Sequence, residues 1–295
     1  MLKLDRVSKI YRVGTFGGKE LHAVDNVKFD VRDKECVSLI GESGSGKTTI
    51  GKMILRLISI SSGTISWDGA DISSIKGDAL KNYYRTVQGV FQDPFSSYNP
   101  IFKADRIFRI IHEQFYPDAD DQVWNEKLEK TLRDVGLNPE HVLKKYPHQL
   151  SGGQLQRFLI ARALLLDIKF LVADEIISML DASTRIDVLN LLADLKKRGL
   201  AILFITHDLS LANYISERAV ILYRGCVTEM GVTEKVFKHP RHPYTQMLVA
   251  SVPRLDQKWG AQTNVETIAQ QMTYPKGCVY YDRCPLADHK CTQRP

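Results

Sequence analysis

The stretch Gly41-Glu42-Ser43-Gly44-Ser45-Gly46-Lys47-Thr48 fits the template G-x-x-x-x-G-K-[ST] with no mismatch. Glycines at that spacing let consecutive backbone N–H groups turn inward around phosphates, at the positive end of a helix dipole. Lys47 then reaches the outer phosphates, and the Thr48 hydroxyl ligates magnesium, whose other ligands are largely phosphate oxygens and water. The expected nucleotide contacts are Gly41, Ser43, Gly44, Ser45, Gly46, Lys47, Thr48 and Thr49. An ordinary Gly/Ser turn is the bland reading of the same residues, and the flanking pattern argues against it. The apolar run Cys36-Val37-Ser38-Leu39-Ile40 reads as a buried strand before the loop, and Thr49 to Leu55 as a helix after it.

Four further groups have the types and positions for phosphate chemistry. Phe170-Leu171-Val172-Ala173-Asp174-Glu175 is an apolar strand ending in two carboxylates, and charge at a buried strand end is costly without a partner. Magnesium is such a partner for Asp174, while Glu175 can polarise a water that attacks the γ-phosphate. Ala201 to Thr206 is a second apolar strand, ending at His207-Asp208, which sets His207 at the carboxyl end where ligands gather in parallel sheets. Leu150-Ser151-Gly152-Gly153-Gln154 precedes a periodic helix with Ser151 as its N-cap. That turn serves either as plain capping or as a second phosphate site, through Ser151, Gly153 and Gln154, for nucleotide bound to another subunit. Tyr11 is the last candidate, a core aromatic or a stacking partner for adenine.

The elements that must hold these groups alternate between strands and helices. Ser62 to Gly69 reads as turn, strand and turn, and Val87 to Phe91 as a strand followed at once by Gln92. From there to Lys145 the pattern turns helical and amphipathic, which marks a helical subdomain inserted into the nucleotide domain. The fold expected is α/β: a P-loop core sheet with an antiparallel N-terminal subdomain, the helical insert, and a C-terminal extension. The boundaries are 1–91 for the first part of the core, 92–166 for the insert, 167–232 for the rest of the core and 233–295 for the extension.

Composition permits this and narrows the partners. A chain of 295 residues, 44% hydrophobic, can bury a full core. The charge of +6, from 40 basic and 34 acidic residues, is mild and spread along the chain, which does not suggest a nucleic-acid surface. No apolar stretch approaches the roughly 18 residues that cross a bilayer, and the polar start is not that of a signal peptide, so the chain is expected in the cytoplasm. Cys36 and Cys226 sit in apolar runs as core residues, whereas Cys278, Cys284 and Cys291 cluster in the tail. In a reducing compartment such a cluster suggests metal more than disulfide.

With the P-loop, Gln92, Leu150 to Gln154, Phe170 to Glu175, Ser178 to Asp181 and His207 all in order, the chain resembles the ATP-binding subunit of an ABC transporter over residues 1 to about 240. The resemblance implies ATP hydrolysis, with Tyr11 stacking on adenine, Thr48, Gln92 and Asp174 around magnesium, and Glu175, His207 and Gln92 as catalytic residues. Gln92 would also face the membrane subunits, and Asp181 would lie in a loop crossing between two sites. Ile176-Ile177 stand where the family usually has Pro-Thr.

His239-Pro240-Arg241-His242-Pro243-Tyr244-Thr245, then Val252-Pro253, is similar to the oligopeptide and dipeptide import branch. Ser178-Met179 is similar instead to importers of oligosaccharides within that branch. Cys278, Cys284 and Cys291 resemble the tail that holds a [4Fe-4S] cluster there, although such clusters normally take four cysteines; zinc or a merely reduced tail remain alternatives. Phe91 to Pro100 resembles the second of the two ATPase subunits of such importers. The resemblance therefore implies a heterodimer with a second homologous ATPase subunit, two membrane permease subunits and an extracytoplasmic solute-binding protein, at the cytoplasmic face of the cell membrane. A soluble ABC ATPase acting on ribosomes or DNA is the rival class, and neither a second P-loop nor sustained heptads support it.

Overall fold

The computed structural model describes residues 1–13, 18–252 and 277–293. Pro253, half of one quoted motif, lies outside them. In chain order the first elements are β1 (Leu2–Val13), β2 (Lys19–Val31), β3 (Cys36–Ile40), α1 (Lys47–Ile54), β4 (Ser62–Trp67), β5 (Ala70–Asp71), α2 (Gly77–Thr86) and β6 (Val87–Val90). The helices α3 (Arg106–Phe115), α4 (Asp121–Asp134), α5 (Pro139–Val142) and α6 (Gly152–Leu165) follow. Then come β7 (Phe170–Asp174), α7 (Ala182–Lys197), β8 (Ala201–Thr206), α8 (Leu209–Ile215), β9 (Arg218–Tyr223), β10 (Cys226–Val232), α9 (Thr233–Lys238) and α10 (Pro243–Ala250).

These elements form two compact units. One comprises Met1, Val31–Cys36 and Ser74–Ile205; the other Leu2–Asp30, Val37–Ser73 and Thr206–Pro295.

In the first unit β6, β7 and β8 run parallel, with Val87 opposite Phe170 and Phe170 opposite Ala201. Strands buried on both faces read as continuous apolar runs rather than as alternation, which is why β7 and β8 contain five and six buried residues in a row. The helices of the 92–166 segment bring their own apolar contacts: Phe108 of α3 meets Phe158 of α6 at 4.6 Å between ring centres, and Trp124 of α4 stacks on His112 at 4.8 Å. Arg162 of α6 is half-buried and donates to the Gly89 carbonyl of β6 at 2.7 Å, which ties that helix to the sheet.

In the second unit β2, β1, β4 and β5 form a sheet in that order, with β4 antiparallel to both β1 and β5, and β1 pairs with β4 from Leu2 opposite Trp67 to Ser8 opposite Ser62. Here the alternation is of the half-buried kind, Leu2 and Leu4 inward and Lys3 outward. β3 pairs parallel with β9, and β9 turns back into β10. A cluster of Ile40, Leu209, Ala212, Tyr223, Tyr244 and Tyr280, among others, packs the end of β3 against α8, α10 and the tail.

Candidate active site

The P-loop leaves a strand whose five residues are all buried, and backbone from neighbouring strands meets it so closely that only glycine fits. A Cβ at Gly41 would stand 2.1 Å from the Leu222 carbonyl oxygen, and one at Gly46 would stand 2.3 Å from that of Ala23. Gly46 has φ 102°, left-handed, so the loop there needs glycine twice over. The Gly225 N–H donates to the Ser45 carbonyl at 2.9 Å, and the Gly225 carbonyl accepts the Asp25 N–H at 2.9 Å. The loop is thus braced between β2 and the β9–β10 turn.

Its side chains suit an anion. Lys47 is buried, and its Nζ donates to the carbonyls of Gly41 and Glu42 at 2.7 and 2.9 Å, so the ammonium sits at the hub of its own loop. The Ser45 Oγ is buried and meets no hydrogen-bond partner in the protein, an orphan that a phosphate oxygen or water can satisfy. Ser43, Gly44 and Thr48 are exposed and Thr49 is half-buried, beside the first-turn N–H groups of α1 that have no intrahelical acceptor. In the same unit Tyr11 is exposed, with Lys9 Nζ 5.1 Å from its ring centre. His207 is exposed just past β8, where Asp208 caps α8 through the Ser210 N–H at 2.8 Å.

The acidic pair belongs to the other unit. Asp174 ends β7 with 3% of its surface exposed. Glu175 then adopts φ 49°, the left-handed region that non-glycine residues enter only when surroundings dictate it. Its N–H donates to the Ile205 carbonyl at 2.9 Å, and its carbonyl takes the Ser178 Oγ at 2.9 Å. Ile176 and Ile177 are buried at 1% and 3%, so the residues standing where the family has Pro-Thr anchor the turn by apolar packing. Gln92 is exposed immediately beyond β6.

Before α6, Ser151 and Gln154 cap each other. The Gln154 N–H donates to Ser151 Oγ at 3.1 Å and the Ser151 N–H to Gln154 Oε1 at 2.9 Å, a reciprocal capping box. A Cβ on Gly153 would lie 2.6 Å from Thr184 Cγ2, so glycine lets α6 begin hard against α7. Asp181 caps α7 by accepting from Ser183 Oγ at 2.6 Å and from Thr184 N at 3.0 Å. Those bonds, the Ser183 hydroxyl first, hold its carboxyl well below the usual range.

The tail cysteines are partly buried and none forms a disulfide. Cys278 N–H donates to the Cys291 carbonyl at 2.9 Å, and a Cβ on Gly277 would stand 2.2 Å from that same oxygen, so the segment closes on itself. Yet among the described residues no group of three or more His, Cys, Asp or Glu could hold a metal ion. The thiols as placed do not fit a cluster. Magnesium makes a lighter demand, since phosphates and water supply most of its ligands and one carboxylate with one hydroxyl suffices.

Residues 24–178 match the ABC transporter family. The chain belongs to the ATP-binding proteins of the ABC transporter family. It is an ABC ATPase. Residues 228–291 match a second family, the oligopeptide/dipeptide transporter C-terminal region. The ABC protein is 42% identical over 260 residues to the oligopeptide transport ATP-binding protein OppF of Streptococcus mutans, covering 87% of this chain and 82% of that one. It is 35% identical over 280 residues to OppF of Salmonella typhimurium, covering 93% and 84%. Among solved structures, the dimeric ABC transporter cassette MJ0796 shares 29% identity with a TM-score of 0.71, over 79% of this chain and 99% of that chain. A dimeric form of the same cassette bound to ADP and Pi gives 28% and 0.71.

The candidate phosphate-chemistry groups were legible in the sequence because each is contiguous and lies at or near an element end. Tyr244 and Arg283 were left without a role. Both reach Glu42 of the P-loop from 202 and 241 residues away, and only the quoted His-Pro-Tyr motif hinted at one of them.

Proposed function

We propose that this ABC ATPase powers import of oligopeptides or dipeptides. The observation that carries the reading is the match of residues 228–291 to the C-terminal region of oligopeptide/dipeptide transporters, on a chain that also has the complete ATPase set. Lys47, Ser45 and the loop N–H groups bind the triphosphate, and Tyr11 offers its exposed ring to adenine. Thr48, Asp174 and Gln92 are the residues that would hold magnesium, which would supply neutralisation of the phosphate charge. Glu175 takes a proton from the attacking water, and His207 contacts the γ-phosphate. Ser151, Gly153 and Gln154 serve the nucleotide of a second, homologous subunit, so hydrolysis belongs to a heterodimer.

That dimer works on two permease subunits at the cytoplasmic face of the membrane, with an extracytoplasmic binding protein delivering cargo. No described helix is long and apolar enough to cross a membrane. The helical subdomain is taken as 92–166 and the extension as 233–295; the exposed Phe95, Ile101 and Phe102, which follow Gln92 in sequence, offer apolar surface to the permeases. No step runs through a [4Fe-4S] cluster: three tail thiols are not gathered as a metal site. The transporter assembled in vesicles should take up labelled oligopeptide only when ATP is on the ATPase side. Uptake of oligosaccharide instead of peptide would reassign the cargo, and uptake without ATP would end the reading.

A further inference from the structure

Glu42, the first variable residue of the P-loop, is held from three directions. Its N–H donates to the Tyr244 hydroxyl of α10 at 3.0 Å. Its carbonyl accepts the Lys47 ammonium at 2.9 Å and the Ser45 N–H at 3.2 Å. Its carboxylate oxygens take Arg283 Nη1 of the tail at 3.2 and 3.1 Å. One residue therefore links the C-terminal extension to the lysine that meets the outer phosphates.

The two outer partners are firmly seated. Tyr244 is fully buried, and burial pushes its hydroxyl well above the ordinary phenol range, so it stays a neutral acceptor for the loop N–H. Arg283 lies 5.9 and 5.8 Å from the ring centres of Tyr223 and Tyr280, and neighbouring Asp282 approaches Arg224 at 3.7 Å. Tyr280 and Val279 are buried in the cluster that also holds Ile40, the last residue before the P-loop. The tail thus rests on the same core as the root of the loop. Charge supplies a reason for the arginine: a carboxylate within a loop that must receive a polyphosphate repels it, and a guanidinium bonded to both carboxylate oxygens offsets that repulsion.

We propose that Arg283 and Tyr244 are positioning residues for ATP binding, which makes the C-terminal extension part of the nucleotide site. This rests on the ATPase reading above. Arg283 neutralises and orients Glu42, Tyr244 fixes the Glu42 peptide, and the Glu42 carbonyl in turn places Lys47.

The test is ATP–magnesium affinity by calorimetry on the full-length chain, with kcat and KM in the assembled transporter. Arg283→Gln should bind ATP about fivefold more weakly, the size of one partly exposed charge interaction, with KM raised and kcat little changed. Arg283→Lys should recover most of the affinity. Glu42→Gln added to Arg283→Gln should restore binding, because the uncompensated carboxylate is gone. A merely structural role would not give that rescue. Wild-type affinity in Arg283→Gln, or a double variant no better than Arg283→Gln, would overturn the proposal while leaving the ATPase reading intact. If Arg283→Gln does not fold, Tyr244→Phe carries the test: it removes one hydroxyl and should weaken ATP binding several-fold, and unchanged affinity would count against the proposal. A wild-type chain that bound no ATP would bring down the ATPase reading itself.

Discussion

At Gly41 a single methyl group decides whether the loop can exist. The Leu222 carbonyl oxygen, 2.1 Å from where that Cβ would be, is backbone and cannot rotate away, so Gly41→Ala must shift the loop. Calorimetry should then find ATP binding at least about tenfold weaker, and an unchanged Kd would show that the loop tolerates the shift. Lys47→Ala should weaken binding by a different route, removing the charge that the loop carbonyls now hold at 2.7 and 2.9 Å; ATP affinity equal to wild type would refute its phosphate role. These residues were legible in the sequence because their chemistry is local: eight consecutive positions, then an acid pair at a strand end. Arg283 was not legible, since nothing in a stretch of Tyr-Asp-Arg-Cys says that it will lie against Glu42, and Ile176-Ile177 gave no sign of their buried anchoring until the turn was seen.

Among the elements, α6 and α7 depend on their first turns. The Ser151–Gln154 box closes α6, so Ser151→Ala should lower stability by about 1 kcal/mol, read as a shift in thermal unfolding. No shift would mean that α6 is held by its buried face alone. The start of α7 carries a pH dependence. Asp181 has a depressed carboxyl in the folded chain, so its stabilisation is complete above about pH 4, the ordinary aspartate value, and is lost as the pH falls through the lower folded value. The difference in unfolding temperature between wild type and Asp181→Asn should hold steady above about pH 4 and narrow progressively below it, toward the lower folded value. A constant difference would contradict that assignment. Element types followed from the sequence pattern, buried strands as unbroken apolar runs and the capped helix at Ser151. What the pattern left open was competition for the same groups: the capping box leaves Ser151 and Gln154 bonded to each other, so a second phosphate must displace bonds already made.

For the whole molecule the proposal is a site completed by another subunit. Ser151→Arg in this chain should impair hydrolysis at the partner's P-loop and leave its own occupied, as photocrosslinking of a nucleotide analogue to each subunit would report. Loss of labelling on this chain instead would reverse the arrangement. The tail makes a separate expectation: with no metal-holding group among the described residues, anaerobically purified protein should contain far less than four irons per chain, and stoichiometric iron and sulfide would show that the thiols gather in a form other than this one. The central claim is ATP hydrolysis by a carboxylate at the end of β7. It is tested most directly by turnover of the assembled transporter bearing Glu175→Gln in this subunit. ATP should still bind, and hydrolysis should fall at least about a hundredfold, because the base is removed while shape is kept. Near-normal turnover would contradict the account.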